Sequence, residues 1–491
     1  MNFRLRYCLC AVLLAATAFG QGWAGQQLVN RPNRDGADDM PTVATDRTGR
    51  PWVVWATNYG DTTLLWTRWL GSEWEPQRGV SRDAPGIDSR PRPNLAFGEG
   101  DTAWLVWDNF YENNNHDIAA CYWDGSQWTP EQLVNLFDST DLDFVPRVAC
   151  GGGQVWCVWF GGPTDMSPYS IYASRWSDYL GAWEPEMQVS PADGNHHWWC
   201  DVTVDAFGTP HVVWSTDPPY TVSYSYFDGQ QWAAPIPVND KTQLLATYPR
   251  IVTDGTGTMH LSFTGAWVGA EHSDIFYSRN DGSGWIPCQV VTRDGLYNEM
   301  YSEIAADRPD NVWVTWDRQG EESEPYRVYA AHFDGQLWST EERLDNDSSN
   351  YDDCPVVCLD SLGCPWVVWQ AHPYSALNFE VFFNRFVGSG VAEPAVGECH
   401  QPPLVIASPN PFTGTVTIEC GAQFAPGAGI CIFSQDGRQV RRLASGLTLP
   451  GSSTTSTWDG KDELGRCVPG GVYLAVAEGQ AGVRAKLVKL D

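Results

Sequence analysis

Arg147, Asp201, Arg250 and Glu303 occupy the same place in successive copies of a recurring text, 49 to 54 residues apart, and alternate cation with anion. Two guanidiniums converging on one site can grip a carboxylate in bidentate fashion. A carboxyl beside them can act as general acid or base. Tyr301, two residues before Glu303, adds a phenol, and Trp198, three before Asp201, adds an aromatic face. These six residues are the candidate ligand-binding set. The same charges also make a ring of neutralised ion pairs holding adjacent repeats together, and paired charges more often serve structure than chemistry. No catalytic residue is assigned.

Other chemistry is thinly represented. The sequence holds no Gly-x-Ser-x-Gly, no His-Glu-x-x-His and no Gly-Lys-Ser/Thr, so nucleophile elbows, zinc peptidases and phosphate-cradling loops have no signature here. His196 and His197 lack a third metal ligand at a workable spacing. Acid clusters at Asp35, Asp38 and Asp39, at Asp138, Asp141 and Asp143, and at Asp345, Asp347, Asp352 and Asp353 carry enough oxygens for calcium. None follows an EF-hand pattern; they read as solvated loops, and no metal or cofactor is predicted.

The elements that must position these residues come from a repeat. A unit resembling P-x-V-x-x-D-x-x-G-x-P-W-V-V-W ends on Trp55, Trp107, Trp159, Trp214, Phe263, Trp316 and Trp369, at spacings of 49 to 55 residues. That period suits four-stranded propeller blades. Each unit holds β-branched and aromatic runs such as Pro51–Trp55 and Leu64–Trp69, punctuated by Gly, Asp, Asn and Pro, with no helical periodicity. A second aromatic tier, Trp74, Trp128, Trp183, Trp232, Trp285 and Trp338, follows the third strand of six units, and the seventh has none. Gln27-Leu28-Val29-Asn30 repeats the fourth-strand text Gln132-Leu133-Val134-Asn135. The fold class is therefore all-β: a seven-bladed β-propeller over residues 26–393, closed by its N-terminal strand so that no sheet edge stays open between the first and last blades. A Trp recurring once per blade is read as inter-blade packing, not as a ligand contact.

The flanks differ from the repeat. Residues 1–24 carry Arg4 and Arg6, an apolar stretch, and small-residue exits at Ala16-Thr17-Ala18 or Ala24-Gly25, the form of a secretory signal. A secreted or cell-surface location in a bacterial envelope is expected. Sixty acidic against 30 basic side chains give a net charge of −30, which repels nucleic acid and anionic membranes. An oxidising compartment permits disulfides, and Cys150 with Cys157, Cys358 with Cys364, and Cys420 with Cys431 are candidate hairpin staples. After a linker at 394–403, residues 404–491 are nearly charge-balanced and form a separate domain.

Two resemblances add to this. The turns Asp124-Gly125-Ser126-Gln127-Trp128, Asp228-Gly229-Gln230-Gln231-Trp232, Asp281-Gly282-Ser283-Gly284-Trp285 and Asp334-Gly335-Gln336-Leu337-Trp338 resemble the Asp-box of the sialidase-like propellers, one residue shorter than usual. In such folds the position after the recurrent Pro lines the channel mouth; here it reads Thr42, Asn94, Arg147, Asp201, Arg250, Glu303 and Val356. Sialidases gather three arginines, and this ring holds two. Pro409-Asn410-Pro411-Phe412, Gly437-Arg438-Gln439-Val440, Trp458-Asp459-Gly460 and Pro469-Gly470-Gly471-Val472-Tyr473 resemble the FlgD-type immunoglobulin-like domain. Related modules are sorting signals of the type IX secretion system. The resemblance implies a C-terminal β-sandwich for export, attachment or spacing, with the cell envelope or secretion machinery as partner. The expected function is binding of a glycan or protein at the long-loop face; the alternative is a sialidase-like glycoside hydrolase or polysaccharide lyase acting there.

Overall fold

The computed structural model describes residues 22–387 except 31–36, 58–63, 81–90, 111–115, 136–141, 164–167, 219, 294, 320–324, 347–349 and 374–378, and residues 405–490 except 409–411, 421–429, 435–437, 444–453 and 478–483. The leader before Gly22, the linker at 394–403, and Asp35, Asp138, Asp141 and Asp347 lie outside the described residues. Among the described residues no helix is long and apolar enough to cross a membrane.

Described residues 38–387 and the N-terminal segment build seven antiparallel four-stranded units, with strands A to D in chain order. Blade 3, for example, runs Leu142–Gly151, Gln154–Gly162, Ser170–Ser177 and Met187–Gln188. The sheets of blades 2 and 3 are joined by one parallel bridge, Leu142 to His116. One bond recurs in every unit: the second residue after strand D begins donates its N–H to a strand C carbonyl. The seven pairs are Val80 to Leu64, Val134 to Ile118, Val189 to Ile171, Val238 to Val222, Val291 to Ile275, Leu344 to Val328, and Val29 to Val381.

The last of these pairs closes the ring. Gln27 and Leu28 pair with Phe383 and Phe382 on strand C of blade 7. Asn30 Oδ1 accepts the Val381 N–H at 3.2 Å, as Asn135 does for Ile118 and Asn239 for Val222. The Leu-Val-Asn text thus has a physical meaning, because its amide caps a strand C donor that would otherwise be buried without a partner. Val29 joins one apolar cluster with Val43, Val53 and Trp55 of blade 1 and Trp366, Val368 and Val381 of blade 7.

Closure reaches further back than the sequence suggests. Gly22 and Trp23 pair with Val387 and Phe386, and Trp23 packs edge-on against Phe386 at 5.6 Å and Trp313 at 5.7 Å. Comparable bridges place Trp74 on Trp69, Trp128 on Trp123, Trp183 on Trp176 and Trp338 on Phe333. Trp23 is therefore the aromatic that the seventh unit lacks in its own text.

The A–B turns explain the repeat's Asp and Gly. Asp205 Oδ1 accepts the N–H of Phe207 and of Thr209, at 2.8 and 2.9 Å, while Gly208 sits at φ 85°, a conformation that favours Gly. Asp254 and Asp360 do the same in blades 5 and 7. The terminal Trp tier is wholly interior: Trp55, Trp107, Trp159, Trp214, Phe263, Trp316 and Trp369 are 0–1% exposed, which is inter-blade packing.

The C-terminal part has its own core. One sheet holds Val405–Ser408, Val416–Cys420 and Thr454–Trp458, and the other holds Gln439–Leu443, Ile430–Ser434, Gly471–Ala477 and Arg484–Lys489. Ile418, Ile432, Trp458, Tyr473 and Leu487 are buried together as a β-sandwich. Tyr473 donates its hydroxyl to the Pro469 carbonyl at 2.8 Å.

The expected cysteine staples are not found: no disulfide joins the cysteines whose side chains are described. Register gives the reason. Cys150 faces Val155, while Cys157 faces Val148, a diagonal separation of about 7–8 Å that exceeds disulfide reach. Cys358 faces Trp366, leaving Cys364 in the turn. Cys420, whose side chain lies outside the described residues, stands in the opposite sheet from Cys431.

Candidate functional site

Strand A carries a bulge in six blades, between Asp39 and Thr42, Phe144 and Arg147, Trp198 and Asp201, Thr247 and Arg250, Met300 and Glu303, and Asp353 and Val356. Inside each bulge a non-glycine residue takes a left-handed conformation: Met40, Val145, Trp199, Tyr248, Tyr301 and Cys354 have φ of 49–53°. Such strain persists only where the surroundings over-determine it. In five of the six, a side chain of the preceding blade, one residue past the tier aromatic, supplies that restraint. Met40 N–H donates to Gln370, Val145 N–H to Asp108, Tyr248 N–H to Ser215, Tyr301 N–H to Thr264 and Cys354 N–H to Asp317. The bulges turn the residues on either side of the recurrent Pro toward one channel mouth.

A cavity of about 420 Å³ opens there. Its lining includes Arg147, Arg250, Tyr301 and Glu303 of the sequence-derived set, together with Arg92, Trp199, Asp317, Tyr326 and Asp353. The charges pair across the channel. Glu303 Oε1 accepts from Arg250 Nε at 2.6 Å and from Arg147 Nη2 at 3.1 Å, with the three side chains 10–16% exposed. Burial pushes the Glu303 carboxyl up, but the two guanidiniums outweigh it and hold it below the usual carboxylate range. Glu303 is thus an ionised strut and not a proton donor.

Asp201 and Trp198 stand outside that lining. Asp201 Oδ2 accepts the Ile251 N–H of the next blade at 2.8 Å, as Asn94 accepts that of Val148. Burial raises the Asp201 pKa despite Arg147 and Arg250 nearby. Trp198 lies in strand A opposite Ser215 and 5.8 Å from the His196 ring; its neighbour Trp199 reaches the cavity, because the bulge changes which residue faces inward.

The sequence reading missed Arg92, Asp317 and Tyr326, and gave Asp353 only as a member of a solvated acid cluster. A signal for two of them was present: Arg92 immediately precedes the recurrent Pro, and Asp317 immediately follows the tier aromatic Trp316. Asp317 is 1% exposed. Its Oδ2 accepts Cys354 N–H at 3.1 Å, while its Oδ1 and the Oδ1 of Asp353 are buried with no hydrogen-bond partner. Burial raises both carboxyls; Asp353 raises Asp317 further, and Gln370 partly offsets the rise at Asp353. Burial also raises the Tyr301 phenol, with Tyr248 adding to it. Arg92 lies 3.7 Å from the Asp108 carboxylate.

The other sequence candidates are structural. His196-His197 belongs to strand A (His196–Val204), not to a loop. His197 Nδ1 accepts from Trp214 Nε1 at 3.1 Å, which puts the proton on Nε2, 3.1 Å from Asp193. Of the acid clusters, Asp38 and Asp143 accept the amides of Asn30 and Asn135, and Asp352 accepts from Trp369 Nε1 at 2.9 Å. These are buried tethers instead of solvated loops. Among the described residues no group of three His, Cys, Asp or Glu could hold a metal.

No family model matches the chain, and no curated protein matches it. Among solved structures, a Dyadobacter fermentans protein of unknown function is similar at 10% identity, with TM-score 0.47, over 75% of this chain and 99% of that one. An ulvan lyase, a polysaccharide lyase, is similar at 10% identity and TM-score 0.47 over 74% and 94%. A Trypanosoma rangeli sialidase is similar at 12% identity and TM-score 0.41, over 86% of each chain.

Proposed function

We propose that this is an exported protein that binds a carbohydrate in the channel-mouth cavity. One observation carries the reading: a 420 Å³ concavity held by bulged strands and a fixed Arg147–Glu303–Arg250 strut, lined by Trp199, Tyr301 and Tyr326 beside polar groups. Its size falls in the range of small-ligand sites. Aromatic faces beside dense donors and acceptors suit a sugar, whose rings have apolar faces and hydroxyl edges. A concavity of this size favours a saccharide over a folded protein, which would need a broader interface. The strongly acidic chain disfavours nucleic acid.

Glycan-array screening followed by calorimetry tests this. Tyr301→Ala and Trp199→Ala should each weaken binding about tenfold, the loss of roughly 1.4 kcal/mol of contact. Binding that persists unchanged in both variants would place the ligand elsewhere. The C-terminal resemblance supports sorting to, or attachment at, the cell envelope. Removal of residues 404–491 should release the propeller from the envelope fraction or block its export, as read by immunoblot of cell fractions.

A further inference from the structure

We propose that the channel-mouth cavity selects a saccharide carrying a protonated amino group, and that Asp317 and Asp353 receive its ammonium. The inference rests on the carbohydrate reading of that cavity and names the class of sugar. Asp317 lies in strand B of blade 6 (Asn311–Gln319) and Asp353 in strand A of blade 7 (Asn350–Leu359), and both line the cavity. Asp317 is 1% exposed. Its Oδ1, like the Oδ1 of Asp353, is buried with no hydrogen-bond partner. A fold seldom leaves buried acceptors unpaired, and two that line a ligand-sized cavity are places for a donor brought by the ligand.

The charges around the cavity set the sign of that donor. Its three arginines are already matched by acids: Arg147 and Arg250 by Glu303 and the nearby Asp201, and Arg92 by Asp108 at 3.7 Å. The acids behind Asp317 are matched as well, Glu299 by Arg318 at 2.6 Å and Asp352 by Arg327 at 3.4 Å. Among the described residues no arginine or lysine pairs with Asp317 or Asp353; His372 is the basic group beside Asp353. Burial raises both carboxyls, and Asp353, Asp352 and Glu299 raise Asp317 further. An ammonium brings the positive charge and the N–H donors together. Aromatic faces complete the site. Tyr301 and Tyr326 line the same cavity, and the Asp317 charge bears on both phenols. Trp199, Tyr248 and Tyr301, the bulge residues of blades 4, 5 and 6, form an arc with successive ring centroids 4.8 and 4.7 Å apart. Such faces attract an ammonium and also cover the apolar side of a sugar ring. Arg147 Nε, buried without a hydrogen-bond partner, suits a sugar hydroxyl. An acidic sugar would meet guanidiniums committed to Glu303 and two carboxyls that repel it.

The test is calorimetry on the full chain at about pH 6.5, where an amine of ordinary pKa is charged, with added salt to screen the acidic surface. The probes are β-1,4-linked glucosamine oligomers, their N-acetylated counterparts and galacturonate oligomers. Wild type should bind the glucosamine oligomers about tenfold tighter than the acetylated ones, and the galacturonates weakest. Asp317→Asn and Asp353→Asn should each bring the ratio of the first two affinities to about one. Asparagine at 317 keeps an oxygen acceptor for the Cys354 N–H, and near-ultraviolet circular dichroism checks the fold of each variant. If one variant does not fold, the other reads the same ratio. A preference for the amine that survives substitution places the ammonium on the acidic outer surface and overturns the inference. Acetylated or uronic oligomers bound as tightly as the amine form overturn it and leave the carbohydrate reading intact. Binding of no saccharide on a wider glycan array overturns both.

Discussion

At the scale of single residues, the propeller holds two kinds of buried carboxyl. Glu303 is pulled down by Arg250 and Arg147, which outweigh the effect of burial. A depressed folded pKa contributes stability that is present above the unfolded value near 4.5 and is lost as pH falls through the folded one. Glu303→Gln would leave Arg147 and Arg250 facing each other in a site where each is at most 14% exposed. It should cost about 3–5 kcal/mol at pH 7, measurable by urea unfolding, and less once pH falls through the depressed folded pKa. Asp352 has the opposite sign. Burial, with Asp345 adding to it, raises its pKa to about 7. The folded state therefore loses stability as pH rises from about 4 to about 7 and stays penalised above that. Asp352→Asn keeps an acceptor for Trp369 and should gain about 1–3 kcal/mol above pH 7, offset in part by the lost Arg327 contact. A melting temperature unchanged by Asp352→Asn at pH 8 would mean the carboxyl is not penalised.

At the scale of elements, the repeated text is a set of instructions for satisfying backbone groups. The Asp of the A–B turn and the Asn or Ser after strand D each accept from a donor that the blade geometry leaves over, and the turn Gly supplies the left-handed φ. Asn30 and Asn135 make equivalent bonds, although Asn30 reaches Val381 across 351 residues of chain and Asn135 reaches Ile118 across 17. Asn30→Ala and Asn135→Ala should therefore each lower stability by about 1–3 kcal/mol in thermal or urea unfolding. A silent Asn30→Ala beside a costly Asn135→Ala would show that the closing strand is not held as the internal ones are. These element-level features were legible in the sequence because they are local: a turn's Asp, Gly and donor lie within a few residues of one another. The bulges were not legible. Met40, Val145, Tyr248 and Cys354 carry no residue-type signature of a left-handed conformation, and the restraint on each comes from the neighbouring blade.

At the scale of the whole molecule, ring closure uses more of the N-terminus than the tetrapeptide Gln27–Asn30. Trp23 completes the peripheral aromatic tier against Phe386 and Trp313. On the proposed export reading, a mature chain that keeps this contact begins before Gly22, which favours the exit at Ala16-Thr17-Ala18 over the one at Ala24-Gly25. N-terminal sequencing of the exported protein should return Phe19 as the first residue; a start at Gly25 would leave the seventh tier without its Trp. Sequence alone determined the seven-fold period, the all-β class, the closing strand and the acidic surface, since periodicity and net charge are properties of residue order and composition. Only the tertiary structure decided that Arg147 and Arg250 converge on Glu303, that Asp201 faces a backbone donor and that Asp317 and Asp353 line one cavity. Those pairings join blades far apart in the chain, where a one-residue bulge changes which side chain faces the channel, and no local pattern records that choice.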